Sequence, residues 1–204
     1  MLKFLILVSL SLNIYSEYKI TVLATNIANF GGYGEWSFSA LYESEDESIL
    51  FDTGFHEDTV LHNAKVLNKD LSKVKKVVLS HFHSDHTGGL IKLRKTYREI
   101  NDEAFSIVYV ARGFFDQRYA KDGHMEGPGN FKYSQEFKKA AEHEGIKFVI
   151  LDGHRLIAKN LYATGTVPRT VESYNGPKGY YLDSNLSIPD VIKDDQSLGM
   201  LTDR

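Results

Sequence analysis

Three imidazoles and a carboxylate fall within six residues at His81-Phe82-His83-Ser84-Asp85-His86. Neutral imidazole and ionised carboxylate are the ligands a zinc ion takes when no thiolate is at hand, and the chain has no cysteine. Residues two apart on an extended turn point the same way, so His81 and His83 are expected to share one metal while Asp85 and His86 face a second. The expected cofactor is zinc, two ions in a complete site, with manganese or iron as alternatives for a nitrogen and oxygen donor set. Water touching such an ion loses a proton near neutral pH and becomes a nucleophile. The implied chemistry is therefore hydrolysis by a metal-bound hydroxide, with Asp85 as the catalytic residue that orients it. A solvent-facing histidine cluster is the plain alternative, and the surrounding strand, turn and helix signals argue against it.

Those signals begin upstream. The apolar run Val74 to Leu79 reads as a buried strand that leads straight into the motif, and Leu90 to Ile100 after it reads as an amphipathic helix. Earlier, Tyr18 to Thr25 and Ser48 to Phe51 are strand-like, the latter ending in Asp52-Thr53-Gly54. Trp36, Phe38, Ala40 and Tyr42 fall on one face of a further strand and are expected in the core. Asp58 to Leu67 has helical spacing. Downstream, the expected elements are strands at Phe105 to Val110, Lys147 to Leu151, Arg155 to Ile157 and Leu161 to Thr164, a helix at Tyr133 to Glu144, and a final strand within Gln196 to Thr202. Alternating strands and helices predict an α/β fold, with the motif at the C-terminal end of a strand, where α/β sheets gather ligands. Asp52 ends an apolar strand beside glycine and needs a partner, which makes it a supporting residue for the motif.

The 204 residues, 42% hydrophobic and 25% charged, suit one folded domain, and the net charge of -3 with no basic stripe excludes nucleic acid as a favoured partner. A small-molecule substrate is expected instead, and the oligomeric state is not legible. Lys3, the apolar stretch Phe4 to Leu12 and Ser16 read as a signal peptide over residues 1–16, with a buried first strand or an uncleaved anchor as the alternative. The apolar stretch is too short to span a bilayer, so no stable membrane insertion is expected, and the localisation is secreted or periplasmic. Among the other candidates, His124 lies in a glycine-rich loop suited to cover a site, and Arg169 is placed to meet an anionic substrate group, a role Arg112 and Arg118 share. Surface salt bridges are the plainer fate of all three arginines. His56 is a candidate for the mouth of the site, His62 reads as a packed residue, His143 as solvated and His154 as part of a turn.

Phe51-Asp52-Thr53-Gly54 followed by Leu79-Ser80-His81-Phe82-His83-Ser84-Asp85-His86-Thr87-Gly88-Gly89-Leu90 resembles the metallo-β-lactamase superfamily. Trp36 to Leu41, Leu61 to Ala64 and Tyr162 to Arg169 further resemble its dihydropterin ribofuranosylaminobenzene phosphate synthase-like branch, and the likeness runs from about Tyr18 to Arg204. The resemblance implies an αββα sandwich over residues 17–204, His81 and His83 on the first metal, Asp85 and His86 on the second, and Asp52 bracing the loop. It also implies a further ligand histidine after a strand that begins just past the segment matching Asp194-Asp195-Gln196, and this chain lacks both. Three accounts are open: a copy truncated in its second half, which is favoured, ligands borrowed from another subunit, or substitution by His124 or His154. The expected function is a metal-dependent hydrolase-like enzyme acting on a small, anionic molecule, with an inactive remnant or metal-binding module of the same fold as the alternative.

Overall fold

The computed structural model describes residues 18–121, 125–126, 134–171, 174, 176 and 177–201. The expected signal segment and His124 lie outside these residues. A six-stranded mixed sheet forms the centre, in the order β1 (Lys19–Ala24), β2 (Ser39–Glu43), β3 (Ser48–Phe51), β4 (Lys76–Val78), β5 (Ile107–Ala111) and, at the far edge, a strand Lys147–Leu151. The first three strands pair antiparallel, and the rest pair parallel through helical crossovers. These crossovers are α1 (Thr59–Val66), the short α2 (Ser84–Thr87) with α3 (Leu90–Arg98), and α4 (Ser134–His143).

The central strands are buried on both faces, and their side chains alternate between two cores. Leu41, Leu50, Val77, Val108 and Val110 face the helices, where Val60 and Ala64 of α1, Leu90 and Leu93 of α3, and Phe137 and Ala141 of α4 cover them. Tyr42, Ile49, Val78 and Tyr109 face the other way, onto Ile157, Leu161 and Ala163. Those three belong to a second sheet of Arg155–Ala158, Leu161–Ala163 and Leu198–Met200, in which Leu161–Ala163 is the middle strand. Full burial of each such aliphatic side chain contributes about 1.5–3 kcal/mol, so the two-faced pattern fixes the register of every central strand. Helices, six-stranded sheet and second sheet form three successive layers of the expected α/β sandwich.

The structure corrects three expectations. The strand described as lacking just past Asp194-Asp195-Gln196 is present as Leu198–Met200, paired antiparallel with Leu161–Ala163. Trp36 precedes β2, which begins at Ser39, and is 79% exposed rather than part of the core. Alternation along an extended turn also does not continue through the whole motif. His83 is extended (φ -118°, ψ 152°), but it caps α2, so Asp85 and His86 project from a helical turn. A further small sheet, unforeseen from periodicity, pairs Arg118–Ala120 with Met125–Glu126 on one side and Tyr180–Tyr181 on the other.

Candidate metal centre

The motif sits where the parallel strands β3 and β4 end, and it is bound to its neighbours mainly through backbone. The Thr53 amide donates to His86 O at 2.7 Å and the Gly88 amide to Gly54 O at 2.9 Å. This close approach requires Gly88 and Gly89, since a Cβ at either would stand 1.8 Å from Phe55 O or 2.3 Å from Thr53 O. Asp52, fully buried and in a left-handed conformation (φ 57°), is the hub below the loop. Its Oδ1 accepts the Ser80 amide at 2.7 Å, and its Oδ2 accepts the Ser80 hydroxyl at 2.8 Å and His86 Nδ1 at 2.7 Å. The partner expected for Asp52 is therefore His86, with Ser80 carrying the support on to His81 Nδ1 at 3.0 Å.

With their Nδ1 atoms so engaged, His81 and His86 turn Nε2 inward. His81 Nε2 lies 3.0 Å from His83 Nδ1, and His86 Nε2 lies 3.5 Å from Asp85 Oδ2. Two ligands of a tetrahedral zinc at 2.0–2.1 Å stand about 3.3 Å apart, so each pair is spaced as two edges of a coordination shell within a few tenths of an ångström. The donor set is nitrogen and oxygen, as zinc, manganese or iron would take it. The donor types present fit the ions that the motif implies, and the spacing of each pair is compatible with a shared ion. Among the described residues, no group of three His, Cys, Asp or Glu side chains converges to hold one ion.

Without metal, the crowded rings differ in basicity. Burial, with His86 and His83 nearby, pushes His81 down to about 2. Burial also works against charge on His86, but the Asp52 and Asp85 carboxylates prevail and push it up to about 10. Burial raises Asp52, although His86 and Ser80 oppose it. A proton on His86 Nδ1, facing Asp52, is the tautomer that leaves Nε2 to a metal.

A pocket of about 360 Å³ opens beside the loop, lined by Trp36, Phe55, Phe82, His83, Ser84, Asp85, Pro177 and Tyr180. Arg169 is not among these. It pairs with Asp195 at 3.2 Å and covers the Tyr174 ring at 4.6 Å. Arg112 forms an exposed ion pair with Asp152, while Arg118 is buried. His62 stacks on Tyr33 and bonds Gly31 O, which makes it the packed residue expected. His56 donates its amide to Glu35, and Phe55 rather than His56 lines the pocket. His154 is exposed and faces Tyr162, and His143 ends α4.

Several residues of the site carry no local sequence signal. Glu35 accepts Ser37 Oγ, Thr59 Oγ1 and the Phe55 and His56 amides, clamping the pocket rim. Segment 190–196 crosses the ends of β4 and β5: the Gln196 amide donates to Ser80 O, its side chain to Leu79 O and Tyr109 O, and Asp194 accepts the Phe82 amide.

A family model described as the metallo-beta-lactamase superfamily matches residues 36–102. Two proteins of Methanocaldococcus jannaschii are similar. One, named 7,8-dihydropterin-6-methyl-4-(beta-D-ribofuranosyl)-aminobenzene-5'-phosphate synthase, is 26% identical over 91% of this chain and 64% of its own length. The other, the uncharacterized protein MJ0448, is 28% identical over 88% of this chain and 64% of its own. The crystal structure of Tm1679, described as a metal-dependent hydrolase of the beta-lactamase superfamily, superposes with a TM-score of 0.67 at 28% identity, over 92% of this chain and 62% of that one. The chain thus spans under two thirds of the length of each. Motif, family model and fold agree in their likeness to the metallo-β-lactamase superfamily, and the sequence is similar to the dihydropterin ribofuranosylaminobenzene phosphate synthase among its members.

Proposed function

We propose that the chain acts as a metal-dependent, hydrolase-like enzyme on a small molecule. The observation that carries this reading is the pairing of His81 Nε2 with His83 Nδ1 and of Asp85 Oδ2 with His86 Nε2, with the far nitrogens of His81 and His86 tethered to Ser80 and Asp52. His81 and His83 would hold one ion, and Asp85 and His86 a second. When bound, such ions acidify water and polarise a substrate oxygen. Asp85, which also lines the pocket, would accept a hydrogen bond from the attacking water and orient it toward the substrate. Trp36, Phe55 and Tyr180 offer aromatic faces to a flat group, which agrees with the pterin and aminobenzene in the name of one relative. Among the described lining residues there is no Lys or Arg, so an anionic group would have to face the metal positions rather than Arg169.

Asp85→Ala tests this reading. The variant should lose hydrolysis of a phosphodiester and lactone panel while keeping its melting temperature, and undiminished activity would refute the proposed role. A second reading, a metal-binding module without turnover, draws on the lack of a three-donor cluster among the described residues. Two equivalents of zinc retained after dialysis favour the enzyme, and weak or single-site retention favours the module. We also propose export, on the pattern of residues 1–16. Among the described residues no helix is long and apolar enough to cross a membrane. A secreted product beginning at Glu17 is expected on N-terminal sequencing, and an intact Met1 would contradict it.

A further inference from the structure

His81 and His86 are each steadied on the side away from the metal positions, by Ser80 and Asp52. His83 has no such partner in the motif. Its inward atom is Nδ1, and its outward Nε2 is buried without a hydrogen bond among the described residues, 3.5 Å from Asp190 Oδ2. Asp190 is 0% exposed and held in place: Arg118 Nε donates to Oδ2 at 2.7 Å, and the Ile192 amide to Oδ1 at 2.8 Å. The other arm of Arg118 donates to Asp194, also 0% exposed, whose second oxygen accepts the Phe82 amide at 2.8 Å. Arg118 itself, 1% exposed, lies over the Phe82 ring at 5.5 Å and donates to Phe114 O and Asp116 O. One guanidinium therefore secures two carboxylates that reach the two residues following His81.

A buried arrangement of this kind is a poor way to gain stability. Desolvating three ions costs several kcal/mol per ion, and apolar residues of similar volume commonly do as well or better. Among the described residues one positive charge faces two carboxylates, so the cluster as described does not neutralise itself. Its unsatisfied side is the one that faces His83, where a dication would stand behind the ring. Outer carboxylates that accept the free N–H of a ligand imidazole fix its tautomer and orientation.

We propose that Arg118, Asp190 and Asp194 form a positioning device for the metal loop: Asp190 receives His83 Nε2–H and so presents Nδ1 to the metal, Asp194 fixes the Phe82 backbone, and Arg118 holds both carboxylates. The inference rests on the reading that His83 is a ligand. A small closure of the 3.5 Å gap, as His83 Nδ1 turns to the ion, completes the hydrogen bond.

Zinc affinity of the full chain, measured by competition with a chromophoric chelator, and the visible spectrum of its cobalt form test this. Asp190→Asn, nearly isosteric, should weaken zinc binding by about 10–100-fold and shift the cobalt bands. Asp183→Asn, in the same region but bonded to Ser187 and Ile188, should leave both unchanged, which separates positioning from general loosening of the segment. Zinc affinity and cobalt bands of Asp190→Asn equal to wild type, in a background where His83→Ala abolishes the first site, would overturn the inference alone. If His83→Ala also leaves zinc binding intact, the proposed function fails first. Should Asp190→Asn not fold, nitrogen NMR of the zinc-loaded wild type decides: a slowly exchanging His83 Nε2–H supports the proposal, and a proton on Nδ1 overturns it.

Discussion

Replacing Asp52 by Asn removes one charge and exchanges one acceptor for a donor beneath the metal loop. Asn tolerates the left-handed backbone at this position, so the turn itself should survive. Its carbonyl can still accept the Ser80 amide in place of Oδ1. The amide nitrogen then stands where Oδ2 accepted the Ser80 hydroxyl at 2.8 Å and His86 Nδ1 at 2.7 Å. His86, charged in the metal-free protein, must give up its Nδ1 proton to become an acceptor there, which leaves the remaining proton on Nε2, the atom that would bind metal. Hydrogen bonds to a charged group contribute about 1.5–3 kcal/mol each, so loss of one to two of them should destabilise the fold by about 2–4 kcal/mol. At about 2–4 °C per kcal/mol for a domain of this size, the melting temperature of the metal-free protein should fall by about 5–15 °C. Metal affinity at the Asp85–His86 position should fall by about 10–100-fold, as for other losses of an outer partner. Thermal melts and zinc titrations of the folded variant measure the two effects separately. Unchanged affinity together with a lowered melting temperature would refute the tautomer argument, because Asp52 would then be only a structural buttress.

Gly89→Ala places a methyl group 2.3 Å from Thr53 O, a backbone atom that cannot swing away, so the loop must part from β3. Loss of soluble, folded protein or a destabilisation of about 3 kcal/mol or more is expected in denaturant melts. Glu35 is held below the usual carboxylate range: burial alone would raise it, but Ser37, the Phe55 amide, Thr59 and the His56 amide prevail. A depressed folded pKa gives stability that is complete above the unfolded value and lost as pH falls through the folded one. The difference in melting temperature between wild type and Glu35→Gln should therefore be constant near neutrality and shrink below about pH 4, and a difference that grows on acidification would contradict the assignment. Trp36→Ala should raise KM for a substrate with an aromatic group while shifting stability by about 0.5 kcal/mol or less, since the ring is 79% exposed.

The strands and helices around the centre were legible because their apolar residues repeat with the period of the element that buries them. Leu50, Val77 and Val108 fall into one core and Ile49, Val78 and Tyr109 into the other by simple alternation. The candidate metal loop is legible because its three histidines and Asp85 are adjacent in sequence. Its supports mostly were not. Asp190 and Asp194 lie 72 and 76 residues from Arg118, in turn-rich chain where no periodicity marks a buried charge. Asp52 was the exception, since a carboxylate closing an apolar strand is costly unless paired. Trp36 continues the alternating pattern of β2 but lies in the loop before it, where its ring meets solvent instead of the core.

Equilibrium dialysis of the purified protein against zinc, manganese and iron tests the central claim most directly, run in parallel on wild type and on His81→Ala, His83→Ala and Asp85→Ala. The geometry of the loop predicts retention of at least one of these ions by wild type and a marked loss in each variant. Retention that is absent in wild type, or the same in all four proteins, would contradict it.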